Sequence, residues 1–244
     1  MNCMQGPIIR TAILVDGGFY RRRAQSMLGE KTAAERADEL SAYCRKHIRH
    51  QQGKHDVERL LYRIFYYDCL PMEKKVFHPF LQRQVDFSRS ELYTWMLAFM
   101  DALKKKRKFA IRLGKLADEQ AHYSIRPKII KKLCNGHMQF DDLQEQDFQL
   151  EVDQKGVDMK IGLDIASLAF KHQVDQIILI SGDSDFVPAA KLARREGIDF
   201  ILDPLYNPIK PDLFEHIDGL WTCDKRFNPE SKETPSDEGN GLAS

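Results

Sequence analysis

The residues of this chain best suited to chemistry are aspartates that close apolar runs. Asp16 directly follows the run Thr11–Val15 (TAILV) and precedes Gly17 and Gly18. A carboxylate there stands at the end of a strand, and the two glycines remove side-chain bulk so that a ligand can approach the backbone. An ordinary Asp-Gly turn has the same spelling. A second group follows the apolar run Gln176–Ile180, in Ser181-Gly182-Asp183-Ser184-Asp185, with Pro188 a few residues on. Proline is tolerated in a first helical turn, so a helix starts here. Asp183 or Ser184 can cap it and Asp185 suits its positive end. Capping explains one aspartate and leaves the other over.

A third group lies in Lys155–Asp164 (KGVDMKIGLD). At about 100° per residue, Leu168, Ile165, Ala169, Gly162, Ala166, Met159, Phe170 and Leu163 cover a broad apolar arc with Asp158 in its middle. Asp164 falls on a polar strip with Lys160, Ser167 and Lys171, where pairing to Lys160 would be worth a few tenths of a kcal/mol. A carboxylate on a packed side needs a partner, a capping role or a metal, so Asp158 ranks above Asp164. If Asp16, Asp158, Asp183 and Asp185 converge, their repulsion is relieved by shared protons or by a hard divalent cation. All the donors are oxygens, which favours Mg²⁺ or Mn²⁺ over zinc.

Alternating elements must position these acids. Ile8–Val15 predicts a first strand, 32–51 a helix, Leu60–Tyr67 an aromatic strand, and 88–106 a long amphipathic helix capped by Ser88 or Ser90. Phe109–Leu116 alternates apolar and basic residues as a half-exposed strand does. Residues 118–149 show no clear period and read as an irregular insertion or hairpin. Helix 157–172, strand 176–180, helix 186–196 and strand 198–202 then follow. The expected architecture is α/β: a central parallel sheet flanked by helices on both faces, with ligands beyond the carboxyl ends of the strands. One domain over residues 1–228 is expected, with 229–244 a polar, disordered tail.

Three segments together resemble the NYN family of the PIN-like ribonuclease superfamily, especially its LabA-like members. They are VDGGFY (Val15–Tyr20), KGVDMKIGLDIA (Lys155–Ala166) and SGDSDFVP with its helix (Ser181–Gly197). The resemblance implies a PIN-like parallel sheet with an acidic pocket at the strand ends, and metal-dependent endonucleolytic cleavage of RNA. It implies that Asp16, Asp158, Asp183 and Asp185 bind Mg²⁺ or Mn²⁺ or position water. Asp164 is a second-tier candidate, and Ser181 would hold Asp183 by a hydrogen bond. The long stretch from Tyr20 to Gln149 matches mainly in the order of its elements, so substrate choice does not transfer.

Basic clusters are the substrate signals. Arg21, Arg22 and Arg23 follow the glycines, and Lys104, Lys105, Lys106, Arg107 and Lys108 form an unbroken run; Lys128, Lys131 and Lys132 make a third group. Near an acidic pocket such residues would hold RNA phosphates, although a helix end also attracts cations. Phe19, Tyr20, Tyr66 and Tyr67 are candidates for stacking on bases.

With 37 basic and 36 acidic residues, global charge names no partner. Five scattered cysteines without a CxxC pair argue against zinc or a disulfide framework. The N-terminus has no signal-like apolar run and charges interrupt every apolar segment, so a cytoplasmic protein is expected. The oligomeric state stays open, a dimer included. A haloacid-dehalogenase-type phosphatase needs a second acid two residues after the first, where Gly18 stands. A topoisomerase-primase-like domain expects Glu on the first strand. An RNA-binding or protein-interaction module that keeps the pocket but cuts little is the non-enzymatic alternative.

Overall fold

The computed structural model describes residues 8–49 and 58–232. Strand β1 (Ile8–Asp16) runs straight into helix α1 (Gly17–Leu28), and α2 (Ala33–Arg49) precedes β2 (Glu58–Cys69). A hairpin, β3 (Lys75–His78) and β4 (Arg83–Asp86), leads to α3 (Glu91–Lys104) and β5 (Phe109–Leu116). Next come β6 (His122–Ile125), α4 (Pro127–Cys134), β7 (Phe148–Glu151) and β8 (Gln154–Lys155). The chain closes with α5 (Val157–Phe170), β9 (Gln176–Ile180), α6 (Val187–Arg195), β10 (Asp199–Asp203), α7 (Pro211–Phe214) and β11 (Gly219–Leu220).

Seven strands form one sheet in the order β11-β10-β9-β1-β2-β5-β8, parallel throughout except where β8 runs antiparallel to β5. This is the expected α/β fold with a mostly parallel sheet between helices, and it is consistent with a PIN-like architecture. Strand β9 is buried along its whole length, because both faces of a parallel sheet are covered. On one face α1, α2 and α3 pack over Ile13, Val15, Ile64, Tyr66, Ile178 and Ile180. On the other, α5 and α6 cover Leu14, Phe65, Tyr67, Ile177 and Leu179. Each such aliphatic side chain contributes about 1.5–3 kcal/mol on full burial.

The sequence places most of these elements within a few residues, with three differences. No helix is expected directly after Asp16, yet Gly17 and Gly18 open α1. Gly17 is needed there because any Cβ would come within 2.4 Å of the Tyr66 hydroxyl. The hairpin β3–β4 is unforeseen. In the stretch 118–149, where an irregular insertion or hairpin is expected, the antiparallel pair β6–β7 agrees with the hairpin, and the difference is the helix α4 between its strands. The two hairpins leave the carboxyl ends of β2 and β5 and stack through aromatic rings, His78 lying 4.1 Å from Tyr123 and 5.5 Å from Phe148. The expected tail falls almost wholly outside the described residues; Pro229–Lys232 form one 3-10 turn. Among the described residues no helix is long and apolar enough to cross a membrane.

The chain leaves β1 towards β2 and β5, then returns to β9 on the other side of β1. The sheet therefore has its switch point between β1 and β9, the position where parallel sheets form clefts at their carboxyl edge.

Candidate functional site

Register brings the acids to that edge. Asp16 lies beside Tyr67 of β2, Val15 beside Ile180, and Ile180 beside Asp203 of β10. Asp16 caps α1: its Oδ1 accepts the Phe19 N–H at 3.0 Å. Its Oδ2 accepts the Ser181 hydroxyl at 3.3 Å, and the Ser181 Oγ in turn accepts the Asp183 N–H at 3.2 Å. Ser181 is fully buried and so ties the end of β1 to the loop after β9. Sequence reading gives it Asp183 as partner; the structure adds Asp16.

Asp183 caps the short 3-10 turn Ser184–Phe186 by accepting the Asp185 N–H at 3.0 Å. Gly182 permits this path, since a Cβ would meet the Phe19 ring at 2.6 Å. Phe19 is thus a packing residue. Asp158 stands in the first turn of α5, whose N-cap is Gly156 in the left-handed region (φ 80°) with no capping side chain.

The electrostatics tie the four acids together. Burial raises the Asp16 pKa, and the nearby charges of Asp158 and Asp68 raise it further, against the lowering pull of the Phe19 N–H and of Arg22. Asp158, although its side chain is exposed, is raised by partial desolvation and then by Asp183 and Asp185. The cluster is open, however: no three of these carboxylates bring oxygens within 4.8 Å of one another. Oxygen-only donors of this kind suit a hard divalent cation.

Several sequence expectations need correction here. Asp158 does not face a packed surface; it is exposed, and Val157, Ile161, Ile165, Leu168 and Ala169 are the buried residues of α5. Met159, Leu163 and Phe170 are exposed as well. Asp164 does not pair with Lys160. It accepts from the Tyr67 hydroxyl at 2.8 Å and from Arg112 Nε at 3.0 Å, so its charge is already compensated.

Arg21 is not available to RNA either. It forms a two-pronged pair with Asp68 at 2.8 and 3.0 Å. Arg23 donates to the carbonyls of Leu205, Tyr206 and Phe227. Arg22 is exposed and near Asp16, and has no hydrogen bond or ion pair among the described residues. In the basic run, Lys104 pairs with Asp101 and Lys106 with Asp38, while Lys105, Arg107 and Lys108 are exposed. The run precedes Phe109, which aligns with Ile64 and Ile13. At about 3.3 Å per residue it sits roughly 10 Å back from the edge that carries Asp16, and two strands across. Tyr20, Tyr66 and Tyr67 are fully buried and cannot stack on bases.

Two further carboxylates stand at this edge that the sequence does not single out. Asp68, fully buried, ends β2 and accepts from Arg21, the Tyr66 hydroxyl (2.8 Å) and the Cys69 N–H (2.8 Å). Asp203 ends β10 on the α2 face, and its oxygens accept from Tyr43 Oη, His47 Nε2 (2.7 Å), the Leu205 N–H (2.9 Å) and Thr222 Oγ1 (2.7 Å). Both directly extend apolar runs, the same pattern that singles out Asp16. His47, Asp203 and Cys223 have potential ligand atoms within 4.8 Å of one another. Four donors already fill the acceptor capacity of Asp203, so this group reads as a tie between α2 and the sheet.

The model of the NYN domain family matches residues 98–207. The match includes Asp158, Asp183 and Asp185, begins after Asp16, and supports a place in the nuclease-like NYN/PIN-like superfamily. No curated protein matches the chain. Among solved structures, the crystal structure of a protein of unknown function from Vibrio parahaemolyticus RIMD 2210633 is similar at 14% identity and a TM-score of 0.46, over 93% of this chain and 99% of that one.

Proposed function

We propose that this chain is a Mg²⁺- or Mn²⁺-dependent endoribonuclease of the LabA-like NYN branch, acting in the cytoplasm. Asp16, Asp158, Asp183 and Asp185 would hold the ion. The observation that carries the reading is the placement of Asp16 at the switch point of a parallel sheet, tied through Ser181 to the Asp183 loop, with Asp158 close enough to raise the Asp16 pKa and itself raised by Asp183 and Asp185. When bound, the ion supplies charge neutralisation at a scissile phosphate and a water made more acidic.

The chain's own residues do the positioning. The Phe19 N–H and the Ser181 hydroxyl fix both oxygens of Asp16. Asp183 is fixed through its cap and through Ser181. Asp158 and Asp185 stay exposed at the lip, where they meet solvent and substrate. Arg22 supplies a cation for a phosphate beside Asp16.

The test is cleavage of labelled RNA by purified protein with Mg²⁺ or Mn²⁺. EDTA should abolish it. Asp16→Asn keeps the helix cap and should lower the rate more than about 100-fold, since even outer partners of metal ligands are worth 10–100-fold. Cleavage that survives Asp16→Asn would refute the assignment. Binding of RNA without any cleavage would favour the non-catalytic reading.

A further inference from the structure

A cavity of about 340 Å³ opens on the layer of α1, α2 and α3. That volume is in the range of small-ligand sites. Its apolar wall is Leu92 and Trp95 of α3. Trp95 is a rigid platform: its Nε1–H donates to the Lys31 carbonyl at 2.9 Å, and its ring stacks on Phe99 with centroids 5.0 Å apart at 14°. Leu92 is 61% exposed, an apolar side chain at the cavity with little to cover it.

The polar lining decides what fits. Three cations border the cavity, Arg21 paired with Asp68 while Lys31 and Arg36 share the one carboxylate of Glu39, and the Gln25 amide borders it as well; counting Glu30, Glu91 and these two partner acids, the acids outnumber the cations four to three. Two carboxylates also border it, Glu30 and Glu91, and neither has a hydrogen bond or ion pair among the described residues. Uncompensated carboxylates repel a phosphate and accept hydrogen bonds from amino groups. The cavity therefore favours a neutral planar ring that carries amino donors.

We propose that this cavity is a subsite for an amino-bearing nucleobase (adenine, cytosine or guanine, in preference to uracil), and, resting on the nuclease reading, that the base belongs to the RNA substrate. The path to the acids is short in the chain. Arg21 borders the cavity and holds Asp68 at the end of β2, the strand paired with β1. Arg22, the next residue, is drawn to Asp16.

The experiment follows tryptophan fluorescence of the full chain in EDTA, where no cleavage occurs, against AMP, CMP, GMP, UMP and ribose 5-phosphate. Saturable quenching by AMP, CMP and GMP is expected, with UMP at least about tenfold weaker for want of the amino donor, and no response to ribose 5-phosphate. Leu92→Glu, at an exposed position that leaves the core intact, should weaken the binding about tenfold or more. Glu91→Gln should shrink the preference over UMP. Equal responses to all five compounds, or binding untouched by Leu92→Glu, would overturn the subsite. The two readings fail separately. Asp16→Asn should bind nucleotides like wild type, so base binding without RNA cleavage rejects the nuclease and keeps the cavity's base recognition. Cleavage without base binding rejects the subsite alone.

Discussion

Asp203 and Asp16 end two strands of one sheet, at the same edge, yet they face opposite layers and opposite conditions. Asp203 is sealed under α2 and meets four donors, two of them from α2 itself. Asp16 is half-buried, receives two hydrogen bonds, and has Asp158 and Asp68 near enough to raise its pKa. Burial alone does not separate a structural acid from a chemical one. The separation lies in whether the fold supplies enough hydrogen-bond donors or cations. Asp68 makes the same point one strand away, since Arg21 pairs with both of its oxygens. Where the fold withholds such partners, the remaining negative charge is what a cation would find.

The largest expected effect probes the saturated end of this comparison. Asp203→Ala leaves the Tyr43 hydroxyl, His47 Nε2, the Leu205 N–H and Thr222 Oγ1 without their acceptor. The cost should be about 3–5 kcal/mol, or a fall in Tm of roughly 10 °C, read by calorimetry. Below its Tm the variant should keep whatever Mn²⁺ stabilisation wild type shows. Loss of that stabilisation would mean that Asp203 binds metal and that the contrast with Asp16 is false.

Arg21→Ala comes next. It strands the buried Asp68 charge and should cost about 3 kcal/mol. Adding Asp68→Asn should recover at least half of that, because the uncompensated charge goes too. No recovery would mean that Arg21 contributes by packing and that Asp68 is not a compensated acid.

These outcomes rest on features only partly legible in the sequence. Strands β1 and β9 could be read because they are continuous apolar runs whose burial follows from composition. So could the Ser90 cap, which accepts the Tyr93 N–H at 3.1 Å, and the acids at the ends of those strands. Arg21 could not be sorted from Arg22, since its partner lies 47 residues away on β2. Asp68 and Asp203 also follow apolar runs directly, but neither is followed by the paired glycines of Asp16 or the second acid of Asp183 that make a strand-end aspartate conspicuous. The phase of α5 failed for a different reason. The helix is apolar nearly all round, so periodicity cannot choose its buried face; the sheet does, and it leaves Asp158 on the rim. The hairpins β3–β4 and β6–β7 are four-residue strands held by ring contacts between segments about 45–70 residues apart, such as His78 with Tyr123 and Phe148. No local pattern announces them.

The smallest effect tests the under-supplied end directly. Asp158 has a folded-state pKa above its ordinary value, through burial and through Asp183 and Asp185. As pH rises, the unfolded chain therefore loses this proton first, and the folded state is penalised. The penalty is absent in acid below the ordinary carboxylate range and complete once the pH passes the raised value. Asp158→Asn should remove it, raising the Tm in EDTA at pH 7 by about 1–2 °C, a modest gain because the group is exposed. Near pH 3 the two proteins should melt together. Saturating Mn²⁺ should reverse the order at pH 7, because wild type gains a ligand interaction that the variant lacks. If the variant melts below wild type in EDTA at pH 7, Asp158 is stabilising as it stands, and the acids at this edge are not held in unrelieved repulsion.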